Sequence, residues 1–312
     1  MGKYVKEYEW SNIFAMVRNL ALAPEICSDD SSDRTVVITG ATSGIGSATA
    51  HKYASRGARI VSVNRNEEKS QRLCEALRAQ YSADCSYLIA DFARLADVHR
   101  AGEQLAAMDC PIDVLIHNAG VYATRRTLTV DGLELVFQVD YLASFILNHH
   151  LREKLIGQDS SRIIFVNSEA HRFAAWGLHM DDLSWETHRY SGSRSYGSAK
   201  LAQLLSMIKL QEVYASTAVT VNAMHPGNVK TNSGQNNGPV YKFLKRVFVD
   251  STAKSPDIAA EALYTLGVSS SLATTSGKFF NLTTEEEPAP PALDKEAAEE
   301  LWELSHRLGG LR

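Results

Sequence analysis

Hydrophobic residues return along this chain in two rhythms. Short apolar runs alternate with longer stretches whose apolar positions recur at helical spacing. The runs Thr35–Gly40 ("TVVITG"), Ala58–Asn64, Cys85–Asp91, Ile112–Asn118, Arg162–Ser168 and Ala218–Gly227 read as strands. Between them, helical patterns run from the first strand to about Arg56, then over Glu67–Gln80, Ala96–Met108, Leu133–Ile156 and Tyr196–Tyr214. Such alternation predicts right-handed βαβ units and an α/β fold with a mainly parallel sheet covered by helices on both faces.

Ahead of this pattern lies an appendage. Ser11 can cap a helix whose apolar positions are Ile13, Phe14, Val17 and Leu20, Pro24 stops it, and "SDDSSD" (Ser28–Asp33) reads as a linker. The expected division is an N-terminal helical extension and linker over 1–32 and a single domain over 33–312. Exposed, the helix would form an apolar patch, so it is expected to cover something, and docking on the domain itself is favoured over a second subunit or a membrane. Arg18 and Asn19 interrupt its apolar run and Glu7 and Glu9 precede it, which argues against a signal peptide or a membrane span.

Composition narrows the class. A chain of 312 residues, 45% hydrophobic and 22% charged, suits a soluble domain with a sizeable core. With a net charge of −4 and no basic run, nucleic acid is not an expected partner. Cys27, Cys74, Cys85 and Cys110 show neither a disulfide framework nor zinc spacing, and His171, His179 and His188 are not at metal spacing. No metal is expected, and a cytoplasmic location fits.

The first strand runs into "TGATSGIG", with Gly40, Gly44 and Gly46. A glycine turn after a strand and before a helix lets backbone approach a phosphate at the helix N-terminus. This loop resembles the cofactor loop of the short-chain dehydrogenase/reductase family. "HNAG" (His117–Gly120), Ser168 in "VNSEAHR", "YGSAK" (Tyr196–Lys200) and "HPGNVKT" (His225–Thr231) resemble that family's further motifs in the same order. "SEAHRF" and "LWELSHRL" resemble its retinol-dehydrogenase-like and hydroxysteroid-dehydrogenase branches. The resemblance implies a Rossmann-type doubly wound domain and an NAD(P)(H)-dependent oxidoreductase.

It also implies roles. Tyr196 would exchange a proton with a substrate oxygen, its pKa lowered from the free value near ~10 by Lys200 one helical turn away. Lys200 would also bind the nicotinamide ribose, and Ser168 would hold the same substrate oxygen. Gly197, Ser198 and Ala199 would keep the helix slim beside the cofactor. Where the family carries asparagine in the long helix, this chain has Asp140, a proton-relay candidate that can equally pair with Lys200 for structural reasons. Gly40, Thr42, Ser43, Gly44, Ile45 and Gly46 would hold phosphate. Asp91 and Phe92 would flank the adenine, and Asn118, Ala119 and Gly120 would bound its ribose. Pro226, Gly227, Val229 and Thr231 would lie at the nicotinamide. The second strand ends in Asn64 and Arg65 without an acid, which leans towards NADP(H), although Asn64 could serve a free hydroxyl.

The loops at about 170–194 and 231–255 are the expected substrate loops. Phe173, Trp176, Trp185 and Tyr190 in the first could line an apolar pocket or simply pack the loop. The expectation is oxidation or reduction of an apolar, steroid-like alcohol or ketone by a homo-oligomer. Alternatives are a retinoid or small-carbonyl reductase and a catalytically silent dinucleotide-binding redox sensor.

Overall fold

One sheet organises the computed structural model, which describes residues 3–4, 23–229 and 254–311. Its strands are β1 (Thr35–Thr39), β2 (Arg59–Asn64), β3 (Cys85–Ile89), β4 (Val114–His117), β5 (Ser161–Val166), β6 (Val219–His225), β7 (Phe279–Asn281) and β8 (Thr284–Glu286). Their spatial order is β3-β2-β1-β4-β5-β6-β7-β8, parallel except for the final antiparallel β7–β8 pair. The order reverses beside β1, which opens a crevice at the carboxyl ends of β1 and β4.

The pleat explains the two cores. Val36 and Ile38 face one side of β1 and Val37 the other; Val114 and Ile116 of β4 likewise oppose Leu115. One face is covered by α1 (Gly44–Ala54), α2 (Glu67–Tyr81) and α6 (Pro256–Val268). The other is covered by α3 (Leu95–Ala106), α4 (within 135–156), α5 (Gly192–Val213) and α7 (Lys295–Leu308). With both faces buried, the inner strands carry unbroken apolar runs.

Three local features depart from the sequence pattern. Helix α5 starts a turn before Tyr196, because Ser191 caps it by accepting from the Arg194 N–H at 3.2 Å. Helix α4 is not uniform: Leu135–Phe137 is α-helical, Gln138–Leu142 is π-helical and Ala143–Ile156 returns to α. The third is a correction. Cys74 and Cys85 are joined by a disulfide, with Cα atoms 5.3 Å apart. Cys74 lies on the inner face of α2 and Cys85 opens β3, so their meeting is set by helix–sheet packing that residue spacing does not display. The cysteine pattern thus lends no support to a reducing compartment.

The proposed N-terminal helix and most of the second substrate loop lie outside the described residues. Lys3 and Tyr4, which are described, dock on the domain. Tyr4 is 7% exposed, packs against Gly177, and donates to Asp294 Oδ2 at 2.5 Å. Lys3 Nζ donates to the same oxygen at 2.6 Å. Asp294 also caps α7, accepting from the Glu296 and Ala297 N–H groups. Burial of its carboxyl opposes ionisation, but the bonds from Lys3 and Tyr4 outweigh it and hold the pKa down to about 2.

Removing the hydroxyl in Tyr4→Phe should cost about 1 kcal/mol. Tyr4→Ala also loses the packing on Gly177 and should cost about 3 kcal/mol. Thermal unfolding should rank wild type, Tyr4→Phe and Tyr4→Ala in descending order. A Tyr4→Ala protein that melts with the wild type would show that this docking contributes no stability.

Candidate active site

The glycine turn between β1 and α1 is shaped by close backbone approach. Gly40 has φ +69°, and a Cβ there would come within 2.9 Å of Ala119 Cα. A Cβ on Gly46 would lie 2.4 Å from the Gly40 carbonyl oxygen and 2.5 Å from Asn118 Nδ2. Two asparagines fasten this turn. Asn118 Nδ2 donates to the Thr39 and Gly40 carbonyls at 2.9 and 3.1 Å. Asn64 Oδ1 accepts from the Ala41 N–H at 2.7 Å, and its Nδ2 donates to Ser62 Oγ at 2.9 Å. Asn64 is therefore a buried fastener of the loop, its side-chain oxygen bonded to the Ala41 amide. Arg65, next along, is exposed.

Above the turn the site is open. Ser43, extended at the N-cap, is exposed and makes no side-chain cap bond, and a Cβ on Gly44 would meet nothing within 4 Å. The first amides of α1 thus keep the donor character that suits a phosphate. Thr42 is half-buried, while Ile45 belongs to the core beneath. Asp91 is half-buried and accepts from the Ala93 N–H at 3.0 Å. Phe92 is turned into the core, so Asp91 alone of that pair stays near the surface. Across the crevice Pro226 is buried, Gly227 has φ +74°, and the Val229 N–H donates to the Gly227 carbonyl at 3.1 Å. Thr231 lies outside the described residues. The residues that are described fit a dinucleotide.

Tyr196 and Lys200 share a face of α5. Tyr196 is half-buried, with the Lys200 Nζ 5.5 Å from its ring centroid and the Tyr122 ring edge-on at 5.7 Å. Lys200 is 3% exposed, and its Nζ donates to the Val166 carbonyl at 3.0 Å and to Gln203 Oε1 at 3.3 Å. Burial lowers its pKa, against the opposing pull of Asp140. Ser168 ends the turn after β5 and caps the 3₁₀ segment Glu169–Phe173; its Oγ accepts from the Ala170 N–H at 3.1 Å. Gly197 serves that turn: a Cβ there would come within 2.7 Å of the Ala170 carbonyl. The slimness expected to face the cofactor instead admits the Ser168 segment.

Asp140 sits inside the π-helical stretch of α4 and is buried. Its Oδ1 accepts from the Val121 N–H at 2.7 Å, and Oδ2 lies 3.9 Å from the Lys200 Nζ. A Cβ on Gly120 would lie 3.2 Å from Oδ2. Burial raises the Asp140 pKa to about 7, although Lys200 and the Val121 amide pull it down.

Sequence reading missed the polar residues behind this group. Asn167 Nδ2 donates to the Lys200 carbonyl and to Gln203 Oε1, both at 2.9 Å, while its Oδ1 accepts from the Ser168 N–H at 2.8 Å. Gln203 Nε2 donates to the Asp140 carbonyl at 2.7 Å. Buried Glu134 accepts from the Phe137 N–H and from Ser195 Oγ, joining α4 to α5 beside Tyr196. The available signal was a polar residue inside an otherwise apolar stretch, as Gln203 is in "KLAQLL".

The first of the two loops expected to meet substrate is packed largely upon itself. Trp185 is buried, Trp176 stacks on His179 under the Arg194 guanidinium, and Tyr190 donates to the Ala123 carbonyl at 3.0 Å. Phe173, by contrast, is 55% exposed. His188 pairs with Asp182 at 2.8 Å within the loop. A cavity of about 490 Å³ lies at the Lys3–Tyr4 docking site, lined by Glu287, Leu293 and Asp294 among others, and includes neither Tyr196 nor Ser168.

Such a site can hold a dinucleotide across the crevice and present a phenol to a small molecule beside it, the working plan of a dinucleotide-dependent oxidoreductase. The family model described as short chain dehydrogenase matches residues 34–179. Retinol dehydrogenase 13 of Homo sapiens is 34% identical over 293 residues, covering 89% of this chain and 85% of that protein. The chain belongs to the short-chain dehydrogenase/reductase family. A protein of Streptomyces sp. (strain C5), named as a candidate daunorubicin C-13 ketoreductase, is 34% identical over 272 residues, covering 87% of this chain and 91% of that one. Among solved structures, a candidate short-chain dehydrogenase from Shigella flexneri complexed with NADP superposes with a TM-score of 0.65 at 20% identity, covering 82% of this chain and 99% of that one.

Asp140 carries a pH signature. Its pKa rises from 3.8 to about 7 on folding, so within that window the folded chain holds the proton more tightly than the unfolded chain. Stability from this group is full at acid pH and is lost as pH climbs through the window. Asp140→Asn lacks the titration, so its melting temperature relative to wild type should rise between about pH 4 and pH 8. Differential scanning fluorimetry of both proteins tests this; parallel curves would mean that Asp140 titrates as an ordinary carboxylate.

Proposed function

We propose that this enzyme moves hydride between a nicotinamide cofactor and the alcohol or carbonyl carbon of a bulky apolar molecule, a retinoid first and a steroid-like polycycle second. The observation that carries the reading is Tyr196 half-buried at the crevice with the Lys200 ammonium one helical turn behind it. The bound cofactor supplies or accepts the hydride. Tyr196 gives a proton to the substrate oxygen in reduction and removes it in oxidation, and the neighbouring cation favours its phenolate. Ser168 Oγ accepts from the Ala170 amide, which leaves its hydroxyl proton for the same substrate oxygen. Asp140 Oδ2 faces Lys200 and takes up or releases a proton behind it.

The substrate class rests on kinship and chemistry together. Retinol dehydrogenase 13, matched over 89% of this chain, is named for retinol, and the Streptomyces relative is named for reduction of daunorubicin at C-13. Exposed Phe173, at the end of the 3₁₀ segment that Ser168 caps, adds an apolar side chain to the same turn. A silent redox sensor has less support, because Ser168, Tyr196 and Lys200 are all present.

Retinal, a ketosteroid and an anthracycline ketone should be offered with NADPH and with NADH while the absorbance of the reduced nicotinamide is followed. Turnover should be fastest with retinal. Tyr196→Phe should lower kcat by about 10²–10⁴-fold while cofactor affinity stays at the wild-type level. Near-normal turnover in that variant would refute the proton-transfer role.

Exposed Arg65 at the end of β2 supports a preference for NADP(H), since a guanidinium pairs with a 2′-phosphate in forked geometry. Arg65→Ala should weaken NADPH by about tenfold or more and leave NADH nearly unchanged, read by titrating both into both proteins. Equal losses for the two cofactors would remove Arg65 from the choice between them.

A further inference from the structure

Ser168 is gripped from two directions. From the α5 side, the Asn167 amide holds its N–H and is itself bonded to Lys200 and Gln203. The second grip comes from the other end of the chain. His171, fully buried, places Nδ1 2.8 Å from the Ser168 carbonyl oxygen. Its Nε2 lies 3.1 Å from the backbone N–H of Ala289, in the segment that follows β8. The imidazole ring packs edge-on against Phe279 of β7 at 4.9 Å.

These partners fix the tautomer. The Ala289 amide can only donate, so Nε2 must be bare. The Ser168 carbonyl can only accept, so Nδ1 must carry the proton. A cationic imidazole would set two N–H groups against each other at Ala289. Burial, together with the neighbouring Arg172, keeps the ring neutral by holding its pKa at about 4.

Arg172 anchors the same turn independently. It is buried between Glu169 and Glu286 and donates to the Glu287 carbonyl at 3.1 Å. The turn therefore has a fixed attachment to β8 apart from His171. What the His171 side chain adds is a second bond to the Ser168 carbonyl, at 2.8 Å, beside the 3.1 Å bond from its own backbone N–H.

We propose that His171 is a positioning residue for the reaction: its Nδ1–H holds the Ser168 carbonyl and so sets where the Ser168 hydroxyl stands against Tyr196, while Ala289 locks the ring in the donating tautomer. This rests on the reading of Ser168 as the group that holds the substrate oxygen. His171 does not reach the substrate and acts only through Ser168. Loss of its donor lets the turn relax, and small displacements of a positioned group are expensive in rate.

Two substitutions separate the contacts. In His171→Asn the side-chain amide nitrogen replaces Nδ1 and keeps the donor to Ser168, while the acceptor for Ala289 is lost. In His171→Gln the amide reaches the Nε2 position, keeps an acceptor for Ala289 and leaves the Ser168 carbonyl without its side-chain donor, so that only the backbone N–H of residue 171 still bonds it. Each is made in the wild type and in Ser168→Ala, and kcat, KM, NADPH binding and melting temperature are measured. His171→Gln should lose about tenfold in kcat with NADPH affinity retained, and His171→Asn should stay within about threefold of wild type. In the Ser168→Ala background His171→Gln should cause no further loss, since the two residues act as one unit. Equal kcat for the Asn and Gln variants, or losses that multiply with that of Ser168→Ala, would overturn the proposal. Unchanged kcat in Ser168→Ala alone would show that the reading of Ser168 is what fails, and the proposal would fall with it.

Discussion

The ammonium of Lys200 is almost sealed from water, and the polar framework of the site follows from that. A buried charge without partners is strongly unfavourable, so the surrounding elements must bring oxygen to it. Strand β5 brings the Val166 carbonyl, α5 brings Gln203 and α4 brings Asp140. Gln203 is the shared member: its oxygen serves both Lys200 and Asn167, and its nitrogen serves the Asp140 carbonyl. Three elements distant in sequence are thereby held in one mutual arrangement. Asn167 extends the arrangement to Ser168, so the placement of a hydroxyl at the surface is inherited from a charge beneath it.

The cofactor side depends on a different constraint. There the backbone itself is the binding surface, and the task of side chains is to hold it still. Asn64 and Asn118 do this from the two strands that flank β1, each spending its amide on the loop between β1 and α1. This half is built from contacts between neighbouring strand ends. The part around Ser168 is assembled from remote pieces: the turn after β5, the segment beyond β8, and Tyr4 wedged against Gly177. A common sheet supports both, but the part around Ser168 draws its shape from segments far apart in the sequence.

The legible parts of this molecule were those with a local signal. The strands β1 to β6 announce themselves as apolar runs, and the glycine turn and the Tyr196–Lys200 pair lie within a few residues of sequence. What stayed hidden depends on meetings between distant residues. Asn64 ends a strand where an acceptor for ribose is expected, and only the fold reveals that Ala41 takes its oxygen. Gly197 looks like a concession to the cofactor until Ala170 is seen lying against it. Cys74 and Cys85 carry no spacing signature, because helix packing brings them together. The strands β7 and β8 are too short to show a period, and the π-helical stretch around Asp140 has the same apolar rhythm as the helix it interrupts.

The antiparallel turn from β7 into β8 also decides how the sheet ends. A parallel sheet that stopped at β6 or β7 would present a row of unpaired amides with aromatic side chains nearby, a surface on which another extended chain could grow. Among the described residues the last strand is the three-residue Thr284–Glu286, with Glu285 exposed and paired to Lys278 while Glu286 turns inward to Arg172. A second copy laid along it would bring carboxylate against carboxylate and find too little length to register. Glu286, which holds the Ser168 turn through Arg172, thus sits in the same short strand that makes this border of the sheet a poor template for aggregation.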